Sequence, residues 1–77
     1  MDVRELRAAL RAAHVPDGYY WIEGVHEPAP TPTDFMYLRR IEDGAWEVGA
    51  YERGTCHPVA RHDDETAACD DLFRQLA

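Results

Sequence analysis

Cys56, His57, His62 and Asp63 fall within eight residues of one another and form the densest group of metal-ligand or acid–base side chains in this 77-residue chain. A structural zinc site takes four ligands, commonly as two matched pairs such as C-x2-4-C or H-x3-5-H. His57 and His62 make one such pair, and no second pair of matching spacing accompanies them. Neighbours on a strand point to opposite faces, so Cys56 and His57 do not share one ion easily. The group therefore reads as two histidines beside an edge strand, with no metal and no cofactor. Cysteine catalysis fares no better. Cys69 falls on the apolar stripe of a helix, where a thiol is buried and inert, and Cys56 has no helix N-terminus or orienting group beside it. The absence of Lys, Ser and Asn removes the serine nucleophile and the P-loop or Schiff-base lysine. The carboxylates sit on turns and wet faces, without the pocket that shifts a pKa toward acid–base work. His14, at the end of the first helix, reads as a cap or surface group. No catalytic residue is assigned, and the chain is not read as an enzyme.

Fifteen acids stand against eight basic residues, all arginine, for a net charge of −7 with neutral histidines. That balance disfavours nucleic acid and anionic membrane and favours a basic partner. No apolar run approaches the ~18 residues of a membrane span, and no secretory signal opens the chain. The expectation is a soluble, cytoplasmic single domain over residues 1–77. A chain of this length removes only ~60% of its unfolded surface from water, which implies a small core. Two cysteines make no disulfide framework. Two reduced, buried thiols are expected, with a Cys56–Cys69 bridge as the alternative.

The elements follow from spacing. Val3, Leu6, Leu10 and Ala13 mark one stripe of a helix over 2–14, with Asp2 and Glu5 as its capping box. Pro16 ends it, and Asp17-Gly18 turns the chain. Residues 19–25, 35–41, 46–51 and 56–61 read as strands. The Asp43-Gly44 pair marks a hairpin, Arg53-Gly54 makes the next turn, and Pro58 puts the last strand at an edge. Asp63 or Asp64 caps a second helix whose core stripe is Cys69, Leu72, Phe73 and Leu76. The order α-β-β-β-β-α predicts an α+β fold. An antiparallel three- to four-stranded meander would be flanked by an N-terminal and a C-terminal helix in two layers. The expected inward set is Leu6, Leu10, Tyr20, Ile22, Met36, Leu38, Trp46, Val48, Leu72, Phe73 and Leu76.

Charge is unevenly spread. Residues 1–14 carry +1, residues 15–34 carry −4, residues 35–53 carry −1 and residues 54–77 carry −3. If Tyr20 and Ile22 face the core, alternation puts Tyr19, Trp21 and Glu23 outside. Aromatic side chains beside acids on an exposed face are interface anchors. The candidate partner-binding residues are Tyr19, Trp21, Glu23, Glu27, Asp34, Asp63, Asp64, Asp70 and Asp71.

Val15-Pro16-Asp17, Tyr20-Trp21-Ile22, Trp46-Glu47-Val48, Glu52-Arg53-Gly54 and Glu65-x-x-Ala68-Cys69 run along most of the chain. In these the sequence resembles small immunity-type proteins that accompany polymorphic toxins in actinobacteria. It departs from that pattern at His14, where Gly is expected, and in a longer Pro-rich loop. The resemblance implies an inhibitor that binds one cognate toxin with a basic surface, such as a nuclease, and occludes its active site. The alternative is a structural or regulatory interaction domain, or a homodimeric accessory subunit joined at the sheet.

Overall fold

Capping fixes both helices. The computed structural model describes Met1–Ala77. Helix α1 spans Val3–Ala12. The Asp2 carboxylate accepts from the Glu5 N–H at 2.8 Å, and the Glu5 carboxylate accepts from the Asp2 N–H at 3.1 Å. Helix α2 spans Glu65–Leu76, and its cap, Asp64, accepts from the Ala67 N–H at 2.7 Å. The Val3 N–H has no partner within its own helix and donates to Glu65 Oε2 at 2.8 Å, which ties the two helix starts together. Helix α1 ends where the His14 N–H reaches Arg11 O and the Val15 N–H reaches Leu10 O, both at 3.0 Å. These are the two bonds of a Schellman motif, whose turning residue is left-handed and usually glycine. Here it is His14, at φ 61°.

Four strands follow: β1 Tyr20–Ile22, β2 Asp34–Arg40, β3 Trp46–Glu52 and β4 Thr55–His62. They lie side by side in chain order. The hairpins come where turn chemistry puts them. Asp43 and Gly44 have φ of 66° and 73°, and Arg53 and Gly54 have 50° and 84°. Two consecutive positive φ values are what a type I′ turn needs, and its twist matches the flanking strands.

The fold is α+β, with one correction to the meander. β2–β3 and β3–β4 are antiparallel, but β1 runs parallel to β2. The strand expected over 19–25 stops at Ile22, because the chain doubles back through Gly24 (φ 77°) and His26 bridges Ile22 antiparallel. The Pro-rich stretch then carries the chain back to the start of β1, so residues 23–33 act as a crossover rather than a hairpin loop.

Both helices lie on one face of the sheet. Leu6 and Leu10 of α1 and Ala68, Cys69 and Leu72 of α2 pack on Tyr20, Ile22, Leu38 and Val48. Met36, Trp46, Phe73 and Leu76, expected inside, are only half-buried at the margin of this cluster. Cys69 is buried and Cys56 is exposed, so the expectation of two buried thiols is corrected for Cys56. Both are free: Cys56 lies on β4 opposite Tyr51, while Cys69 lies under the helices. Burial pushes the Cys69 thiol up to about 12.

Each sheet edge is interrupted. On β1, Ile22 spends its outward N–H and C=O on His26. On β4, a bulge opposite Val48/Gly49 follows Pro58, which has no N–H to offer. No helix is long and apolar enough to cross a membrane.

His14→Gly is expected to stabilise the protein by about 1 kcal/mol, since glycine takes the left-handed cap without the Cβ clash. A urea midpoint that rises with an unchanged m-value would show it.

Candidate functional site

The sheet face away from the helices is uncovered, and strand alternation loads it with rings. Trp21, Phe35, Tyr37 and Tyr51 all point there. Phe35 and Tyr51 are register partners, and their rings stack at 4.7 Å with planes 17° apart. Trp21 stacks on Phe35 at 5.3 Å and 20°. These spacings are close to the ~4.8 Å between strands, so the rings stand across the strands and turn edges, not faces, to solvent. The three form a ladder over β1, β2 and β3. It borders a groove of about 300 Å³, to which Glu23, Thr31 and the Cys56 thiol also contribute.

Tyr37 is the one ring of this face that is buried, at 3% exposure. The space it occupies is made by Gly49. A Cβ there would sit 2.5 Å from the Tyr37 hydroxyl oxygen and 2.7 Å from the His57 carbonyl. The Tyr37 hydroxyl donates to Glu47 Oε2 at 2.7 Å, and Arg39 donates to the same oxygen from Nε at 2.9 Å. The Arg39 guanidinium also lies 5.4 Å from the Tyr37 ring centroid. Burial and the adjacent Glu47 carboxylate hold the Tyr37 hydroxyl protonated well above its ordinary range. This triad is a fixed floor beside the ladder.

The nine residues expected to bind a partner divide. Trp21 and Glu23 border the groove. Tyr19, 59% exposed, and Asp34 border a neighbouring hollow with Met36, Glu52 and Leu76. Phe35 and Tyr51 border both depressions, so four of the nine lie in two adjoining hollows, the second of which opens toward the helix side through Met36, Ala50 and Leu76. The others do not join them as a patch. Glu27 is exposed, and its carboxylate accepts from the Gly24 N–H at 2.8 Å. Asp63, Asp64 and Asp70 are exposed, but Asp64 is spent on the α2 cap. Asp63 and Asp64 precede a helix whose far end, Leu76, meets the hollow about 18 Å along its axis, and Asp70 lies about halfway along it.

Asp71 is corrected outright. It is buried at 8% exposure, on the side of α2 facing β4. His62 Nε2 donates to its Oδ2 at 2.8 Å, and Gln75 donates to its Oδ1 at 3.3 Å. Burial alone would raise its pKa, but the hydrogen bonds from His62 and Gln75 and the positive charges of His62 and Arg74 outweigh that and hold the carboxyl below its usual range. His62 is thus committed to Asp71, and no three His, Cys, Asp or Glu side chains converge to hold a metal ion.

Sequence reasoning missed Phe35, Tyr37, Tyr51 and Cys56. The signal was present as alternation: Phe35, Tyr37 and Arg39 interleave with Met36, Leu38 and Arg40, just as Glu47, Gly49 and Tyr51 interleave with the inward residues of β3. No family model, curated protein or solved structure matches this chain.

Gly49→Ala is expected to cost about 2–3 kcal/mol, because Tyr37 must leave its place over β3; thermal melts against Gly18→Ala, whose Cβ would meet only Pro32 at an ordinary 3.9 Å, would measure it. The Asp71 carboxyl has a lowered folded-state pKa, so its contribution is present above the ordinary carboxylate value of about 3.9 and is lost as pH falls through the folded value. Asp71→Asn is therefore expected to flatten the acid limb of a stability–pH curve.

Proposed function

We propose that this chain is a non-catalytic binding protein that neutralises a cognate toxin, with the uncovered aromatic face as its docking surface. The observation that carries the reading is the Trp21–Phe35–Tyr51 ladder standing on a sheet face that nothing in the chain covers. Stacked rings are already ordered, so little side-chain freedom is lost when a partner lands on them. Trp21 ends the ladder on the edge strand, beside Glu23, and the adjoining hollow carries Asp34 and Glu52. An arginine or lysine of a basic partner finds carboxylates there, with ring edges beside them for its aliphatic stem to pack on. The net charge of −7 speeds the encounter with a basic cleft, and ring contacts slow release. The resemblance to immunity-type proteins supports the same reading, with occlusion of the active site as the mechanism and the cytoplasm as the place of action.

The test is a calorimetric titration with the product of the neighbouring gene, at low and at moderate salt. A complex that weakens with salt supports the proposal. No complex at low salt overturns it, and a dimer by light scattering without any partner would favour the homodimer instead. Trp21→Ala is expected to weaken the complex by about 2 kcal/mol while the circular dichroism spectrum stays native. Asp70→Ala, on α2, is expected to leave affinity within about 0.5 kcal/mol of the native chain.

A further inference from the structure

Helix α1, with three arginines against one acid, carries the largest net positive charge of any element of this acidic chain. Its Arg4 and Arg7 stand one turn apart and border a hollow of about 350 Å³, closed on the other side by Gly24 and Val25. Fifteen carboxylates are available, yet neither arginine is paired: the ion pairs of the molecule are Arg39–Glu47 and His62–Asp71. Arg7 goes further. Its Nε is buried and has no hydrogen-bond partner. A guanidinium N–H that has lost water without gaining an acceptor is unfavourable, and such groups are rare in folded chains. The position of Arg4 is also unfavourable by local rules, since a cation in the first turn opposes the helix dipole. An anion in the hollow relieves the second cost directly and meets Arg7 through the terminal nitrogens of its guanidinium, since Nε itself is out of contact with solvent.

The opposite wall leaves room for one. Gly24 is left-handed, at φ 77°, and a Cβ placed on it would meet no atom within 4 Å. The nearby Glu27 carboxylate is held at the Gly24 N–H and makes no bond to either arginine.

We propose that Arg4, Arg7 and the Gly24 turn form an anion site that takes a phosphate group. Two guanidinium forks supply double positive charge and paired N–H donors, which suit a tetrahedral dianion. The volume exceeds that of a bare ion and admits a phosphate carried on a small molecule. This site is separate from the aromatic face and does not depend on its function.

The Arg7 Nε–H resonance reports on the site through the guanidinium that carries it. The full chain is titrated with inorganic phosphate and with glycerol 3-phosphate, each against sodium chloride of equal ionic strength. A saturable shift with half-saturation in the millimolar range or below, absent in chloride, is expected, together with a rise in melting temperature. Glycerol 3-phosphate binding about tenfold tighter would mark an esterified phosphate as the ligand, and equal binding would mark the free ion. Arg4→Gln, on the exposed turn, is expected to weaken binding about tenfold with the fold intact, and Arg7→Gln to do the same. Glu27→Gln is expected to tighten it about two- to threefold by removing a nearby negative charge. Equal responses to phosphate and chloride, or unchanged binding in Arg4→Gln, would overturn the proposal.

Discussion

Two helices on the same side of a four-stranded sheet set one register for the whole molecule. Tyr20, Ile22, Leu38 and Val48 must meet Leu6, Leu10 and Leu72, so their strand neighbours are driven to the other side. A slip of one residue in any strand would exchange the two sets. The hairpins at Asp43-Gly44 and Arg53-Gly54 pin the antiparallel strands, and the Glu65 bond to Val3 pins the helices. The aromatic ladder is therefore not a separate invention. It is the complement of the core, produced by the same alternation.

That coupling explains what could be read in advance. Helix stripes, caps and I′ turns are local, and the spacing of Leu6 and Leu10 or the Asp-Gly pair states them directly. The parallel pairing of β1 with β2 is not local. It depends on where a Pro-rich crossover sets the chain down, and composition carries no distance. Asp71 misled because acids on a helix read as wet until a partner on another strand, His62, is seen to face them. Tyr37 was hidden for the reverse reason: its burial rests on the missing side chain of Gly49 across the ladder, a vacancy that neither residue reveals alone. Half of the candidate face, Trp21 and Glu23 with Tyr19 and Asp34, was legible from alternation in β1 and from charge. Phe35 and Tyr51 needed the register.

The acids, which dominate the composition, divide their labour. Asp2, Asp64 and Glu65 hold helix termini, Glu47 fastens Tyr37 and Arg39, and Asp71 fastens β4 to α2. Of the rest, Glu23, Asp34 and Glu52 lie around the rings, while Glu42, Asp43, Asp63 and Asp70 are exposed elsewhere. The unpaired arginines of α1 carry the opposite sign and lie apart from the groove residues. A molecule read only by its net charge would be credited with one kind of surface, whereas this one has two.

The closed margins of the sheet have a bearing on stoichiometry. His26 occupies the outward bonds of Ile22, and Pro58 with its bulge breaks the run of β4, so neither side offers a further copy an uninterrupted ladder of backbone bonds. Growth by strand addition, the route to open-ended fibres, is disfavoured at both margins. What remains open is the aromatic face, and the docking proposed for it would take one partner per molecule.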